Sequence, residues 1–237
     1  MGKEAAPLVG VYANSKHCML DSIFPVLHHF DIPFLTVDKS YLAGLEPGDF
    51  DVLLLPGGWY FFEDKINDRI KKFVAEGGGF VGICCGAINA CKIGLLNAEM
   101  YSMFGIGPTV LEPVDGDHVI LKDVIQKSKA EHREWERIDI LRYNGWPMIL
   151  GEGAEMIAAY DMDKKLAAIA WAEYEKGKVV AFSPHPEGAS CEPGIFKDRD
   201  KHPMVYDGVA MGTATMLDNA IKFVAPGGVK SDKIRNK

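Results

Sequence analysis

The segments "VLLL" (52 to 55) and "FVGI" (80 to 83) are apolar at consecutive positions, so a strand made from either must bury both faces. Strands of that kind suit a parallel sheet covered by helices on its two surfaces. The neighbouring sequence supplies such helices. "PLVGVYA" (7 to 13) reads as a first strand. It is followed by "MLDSIFPVLHHF", in which Leu20, Ile23, Phe24, Leu27 and Phe30 recur at helical spacing. "PFLTVD" (33 to 38) is a second strand and "DFDVLLLPGG" (49 to 58) contains a third. "EDKINDRIKKFVAEGGG" is an amphipathic helix stopped by Gly77 to Gly79, and "FVGICC" is a fourth strand.

From about residue 96 to 182 the rhythm changes. "HVILKDV", "ERIDILRY", "AEMIAAYD", "KLAAIAWAEY" and "GKVVAFS" are short strand-like segments separated by turn residues. They are expected to complete the same sheet in a mostly antiparallel manner. "HPMVYDGVAMGTATMLDNAIKFVA" (202 to 225) has a helical pattern, and residues 226 to 237 read as a polar, basic tail. The expected fold is therefore α/β, a flavodoxin-like doubly wound, mostly parallel sheet with antiparallel strands in the C-terminal half. It forms a single domain over residues 1–225.

Charge and composition narrow the ligands. Lysine and arginine total 26 against 33 acidic residues, a net charge of -7, so no electrostatic pull toward nucleic acid or an anionic membrane is expected. No signal-peptide-length apolar stretch opens the chain and no 18-residue apolar run occurs, which gives a cytoplasmic expectation. The five cysteines, Cys18, Cys84, Cys85, Cys91 and Cys191, lack CxxC spacing, so neither a disulfide framework nor a zinc ribbon is indicated. The expected partner is a small-molecule or peptide amide substrate; homo-oligomerisation is left open.

Three motifs carry chemistry. Gly82-Ile83-Cys84-Cys85-Gly86 fits G-x-C-x-G, the cysteine form of a sharp strand-to-helix turn that presents its central side chain. Taken alone, it reads equally well as a core strand ending in cysteine. "VVAFSPHPEG" (179 to 188) ends a buried-type strand at His185. Prolines on both sides of His185 fix the backbone, and Glu187, two residues on, points to the same side in an extended stretch. A thiol needs a base and the base an orienting acceptor, which Cys84, His185 and Glu187 would provide. Pro56-Gly57-Gly58, at the end of the third strand, could turn an N–H toward the neighbouring strand end, where an oxyanion would develop; alone it is an ordinary turn.

"LLLPGGW", "GICCGA" and "SPHPEG", in that order, resemble the class I glutamine amidotransferase-like superfamily over about residues 7 to 225. Within it, "GICCGA", "GKVVAFSPHPEG" and "RYNGWP" (142 to 147) are most similar to the branch that includes the N-terminal domain of biotin–protein ligases. The resemblance implies Cys84 as nucleophile, His185 as base and Glu187 as orienter, with the backbone N–H groups of Gly58 and Cys85 as oxyanion donors. The chain departs from a glutaminase pattern after the elbow, having Gly86-Ala87-Ile88-Asn89 where a Gly-Met-Gln-like stretch usually helps hold glutamine. No synthase or ligase domain follows the last helix, so a substrate other than glutamine is expected.

Gly57, Trp59, Tyr143 and Asn144 are further candidates for substrate contacts, with Tyr60 and Trp146 as aromatic neighbours. Cys85 follows the nucleophile position, where the side chain packs inward, so Cys84 is preferred. Reading Cys84, Cys85 and His185 as metal ligands fails on adjacency and on the want of a fourth ligand, so no metal and no cofactor are expected. His17 and Cys18 follow the first strand and could line a pocket, whereas His28 and His29 belong to a helix surface. The function expected is a cysteine amidase or amidotransferase-like hydrolase acting through a thioester. The competing reading is a non-catalytic ligand-binding or regulatory domain on the same fold. A third reading, the intracellular-protease and deglycase branch, needs a carboxylate after the first strand, and "ANSKHC" has none.

Overall fold

The computed structural model describes residues 6–14, 18–121, 124, 137–189 and 213–227. The strands are β1 (Val9–Tyr12), β2 (Phe34–Val37), β3 (Val52–Leu55), β4 (Gly79–Ile83), β5 (Ala98–Met100), β6 (Ile106–Pro113), β7 (Ile138–Tyr143), β8 (Met148–Leu150), β9 (Ala154–Tyr160), β10 (Asp163–Tyr174) and β11 (Gly177–Phe182). The helices are α1 (Leu20–His29), α2 (Lys39–Ala43), α3 (Asp64–Ala75), α4 (Cys85–Lys92) and α5 (Thr213–Val224). All the strands belong to one sheet, whose main path runs β2-β1-β3-β4-β11-β10-β9-β6-β7.

The first five strands of that path are mutually parallel. Their order, with β11 as the fifth, is that of a flavodoxin-like doubly wound sheet. Both faces are buried, as the continuous apolar runs require. Val9, Val11, Val52, Leu54, Val81 and Ile83 join the core beneath α1 and α5, while Tyr12, Leu53, Leu55 and Phe80 join the core beneath α2, α3 and α4. Burying each such aliphatic side chain contributes roughly 1.5–3 kcal/mol, so the sheet centre is the stable frame of the molecule.

The second half of the sheet is antiparallel: β10 pairs with β11, β9 with β10, β6 with β9 and β7 with β6. "HVILKDV", expected as a strand, instead forms turns over residues 118–121, with His118, Ile120 and Leu121 buried beneath the sheet. Four short or irregular elements, α2, β5, β6 and β8, have no counterpart among the expected ones. The expected helix from 202 is described only from Thr213, and the expected tail lies outside the described residues beyond 227. Among the described residues, no helix is long and apolar enough to cross a membrane.

Candidate functional site

The strands β3, β4 and β11 are adjacent and parallel, so their carboxyl ends reach the same edge of the sheet. Each carries one of the three motifs. Open α/β sheets assemble ligand sites at such an edge.

Cys84 stands between β4 and α4 with φ 53° and ψ -106°, in the left-handed half of conformational space that a non-glycine residue rarely occupies. Strain of this sort costs of the order of 1–3 kcal/mol and persists only where the surroundings impose it. Here the turn is held by the Cys84 N–H, which donates to the Phe182 carbonyl at 2.7 Å, and by two glycines. A side chain at Gly82 would strike the Gly86 backbone, and one at Gly86 would strike the Leu55 carbonyl. The G-x-C-x-G spacing is thus a packing requirement of the strand-to-helix turn. The Cys84 thiol donates to the Tyr143 carbonyl at 3.6 Å.

Cys85 faces the other way. Its thiol donates to the Tyr60 carbonyl at 3.1 Å and accepts from the Tyr60 N–H at 3.4 Å, and burial pushes it up to about 11. Its backbone N–H opens α4, where the first-turn donors have no acceptor within the helix. Asn89 is buried on the same side and donates to the carbonyls of Tyr60 and Cys85. Asn89 therefore fastens the Tyr60 segment to the start of α4.

His185 follows β11. Its N–H donates to the Leu141 carbonyl at 2.8 Å, and its side chain and that of Glu187 are both fully buried, with Nδ1 and Oε1 2.8 Å apart. The Nε2 atom has no hydrogen-bond partner. Desolvation opposes a charged ring, but Glu187 and then Cys84 outweigh it and raise the imidazole from its usual 6.5 to about 10. Cys84 exerts this influence from the end of the neighbouring parallel strand. Gly57 lies against that ring, and a Cβ there would collide with it. Tyr143 meets it edge-on, with centroids 6.2 Å apart.

This pair predicts a pH signature. A group whose pKa rises on folding stabilises the fold fully below its unfolded value, and that contribution is lost as pH climbs through the folded value. Stability should therefore fall between about pH 6.5 and pH 10, by at most about 1.4 kcal/mol per unit for one proton. Urea denaturation across this range should show the slope in the native protein and a flatter profile in His185→Gln.

A cleft of about 300 Å³ opens beside Cys84. Met19, Trp59, Ile88, Phe104 and Trp146 form its apolar wall, and Gly58, Cys84, Cys85, Tyr143 and Asn144 complete it. Six of the expected site residues thus line one cavity. The other three, His185, Glu187 and Gly57, are not among its lining residues. Tyr60 is not there either; it is buried against Tyr12 and Phe62. Cys18 pairs with Gly58 in a β-bridge and is not among the lining residues, its thiol pushed up to about 11 by burial, and His17 lies outside the described residues. Asn144, with φ 55°, is committed to structure: its N–H donates to the Gly105 carbonyl at 2.8 Å, and its Oδ1 accepts from the Gly105 N–H at 3.0 Å. Met19, Ile88 and Phe104 were not expected as wall residues. Among the described residues, no cluster of three His, Cys, Asp or Glu side chains comes together to hold a metal.

No protein-family model and no curated protein matches the chain. Solved structures share its fold. A chain of PurLQS from Thermotoga maritima is 18% identical with a TM-score of 0.64, covering 91% of this chain and 98% of its own. A glutamine amidotransferase from Methylobacillus flagellatus is 14% identical with a TM-score of 0.58, covering 95% and 98%. A β-galactosidase from Bacillus circulans sp. alkalophilus is 14% identical with a TM-score of 0.52, and the match covers 76% of this chain but 29% of that one. The chain shares the fold of these structures, and the occurrence of that fold within a β-galactosidase shows that fold alone does not fix a reaction.

Proposed function

We propose that this protein is a cytoplasmic cysteine amidase or amidotransferase-like hydrolase that cleaves a small amide or peptide through a thioester on Cys84. One observation carries the reading: a strained Cys84 and a fully buried His185–Glu187 pair, whose Nε2 has no hydrogen-bond partner, follow the neighbouring parallel strands β4 and β11. The neighbours' amidotransferase fold supports it, as does the presence of the Tyr143-Asn144-Gly145 segment at the site. That segment also favours the branch similar to the biotin–protein ligase N-terminal domain.

In this mechanism His185, as the imidazolium, already holds the proton given up by the Cys84 thiol at Nε2, and Cys84 Sγ attacks the substrate carbonyl carbon. Charge develops on the carbonyl oxygen, which the Gly58 and Cys85 N–H groups receive. The imidazolium, held by Glu187, returns a proton to the leaving nitrogen as the C–N bond breaks, leaving the acyl group on sulfur. Water then loses a proton to His185 and attacks the thioester, and the acid and the free thiol are released. Gly57 serves by lacking a side chain, which leaves the imidazole its place.

The test is to incubate the protein with an activated aryl ester, quench in acid and weigh it intact. An added acyl mass located on Cys84 by peptide mapping, absent from Cys84→Ala, is expected. Release of product without any such adduct, at equal rates in the two proteins, would overturn the reading.

A further inference from the structure

The cleft wall carries more information than the presence of a thiol. Its apolar side is built from Trp59, supplied by the segment after β3, and from Phe104 and Trp146, supplied by the segments before β6 and after β7. Large aromatic side chains are normally buried, yet Trp59 is 63% exposed and Phe104 72% exposed. Each is nonetheless held by a second ring. Trp59 meets Phe61 edge-on at 5.5 Å, and Phe104 meets Trp146 edge-on at 6.1 Å. The two Asn144–Gly105 hydrogen bonds fix the backbone immediately after Phe104. Ile88, in α4, adds an aliphatic surface.

From this we infer that the substrate carries a flat apolar group of aromatic size next to its scissile carbonyl, seated against Trp59, Phe104 and Trp146, and is not free glutamine. The inference rests on the proposed amide chemistry at Cys84 for the placing of that carbonyl. Free glutamine would bring an ammonium and a carboxylate to the cleft, and none of the described residues that line it is charged. A volume of about 300 Å³ lies at the lower end for small-ligand sites, enough for one ring and an amide. Asn144 is a positioning residue in this arrangement, since it acts through the Gly105 backbone.

The inference is tested with two thiol-directed probes of matched chemistry, chloroacetamide and N-benzylchloroacetamide, and with the glutamine analogue 6-diazo-5-oxo-L-norleucine. Labelling of Cys84 is followed by mass spectrometry as a function of probe concentration. The benzyl probe should saturate and react with an efficiency about tenfold or more above chloroacetamide, with the gain in apparent affinity and not in limiting rate. Phe104→Ala and Trp59→Ala, both at exposed positions, should each remove most of that gain. Equal efficiencies for the two chloroacetamides, or faster labelling by the glutamine analogue, would overturn the aromatic assignment while leaving the reactivity of Cys84 intact. If Cys84 reacts with none of them, the amide chemistry fails instead. The wall is then decided by tryptophan fluorescence with unreactive N-benzylacetamide: saturable quenching that weakens in Phe104→Ala upholds it, and no quenching overturns it.

Discussion

Glu187→Leu should lower the stability of the protein by about 3–5 kcal/mol at pH 7, the cost of breaking a buried charge pair from one side. His185 and Glu187 are both fully buried, and the carboxylate is the largest of the influences that favour the imidazolium. Without it, the ring must either remain charged in an apolar site or give up its proton. Glu187→Gln keeps an oxygen within reach of Nδ1, so its loss should be smaller, about 1–2 kcal/mol. Because glutamine carries no charge, alkylation of Cys84 should slow in both variants. Urea denaturation and iodoacetamide labelling, run on the same samples, separate the two effects. A Glu187→Leu protein as stable as the parent would show that the pair contributes nothing to the fold.

Gly86→Ala should be comparably damaging, for a steric reason. The added methyl would be driven into the Leu55 carbonyl, so α4 must move away from β3. Overpacking of this kind costs typically 1–3 kcal/mol and more where backbone must give way, so a loss of about 3 kcal/mol is expected. Cys84 would be displaced with its helix, and its labelling should change as well. Gly94→Ala is the control: that glycine has φ 77° but open space around it, so only the conformational cost of about 1 kcal/mol applies. Equal losses at the two positions, measured by denaturation, would contradict the steric explanation.

The parallel half of the fold was legible because its strands are apolar on both faces and each is set off by turn residues. The candidate site was proposed from the sequence for a related reason. Its chemistry-bearing residues sit at the ends of those strands, where glycines and prolines mark the turns. The antiparallel half was read less well. "IGPTVLEP" contains two prolines and a glycine, yet it forms β6, which pairs on both sides. "HVILKDV" has the composition of a strand, but its buried residues fill a turn beneath the sheet. The cleft wall was only partly visible. Trp59, Tyr143 and Asn144 adjoin recognisable motifs, whereas Phe104 lies in "YSMFGIGP", whose glycines obscure any periodicity. Its place depends on the pairing of Asn144 with Gly105, a contact 39 residues apart. Asn144, expected as a ligand contact, serves as that clamp.

The most direct measurement is the pH dependence of iodoacetamide labelling at each cysteine, resolved by peptide mass spectrometry, in the native protein and in His185→Gln. Burial pushes Cys18 and Cys85 up to about 11 and Cys91 to about 12, so these thiols should label slowly at neutral pH. Cys84 should label fastest, and should lose that advantage in His185→Gln. Labelling of Cys84 no faster than that of Cys18, or unchanged by loss of His185, would contradict a thiol activated by its histidine.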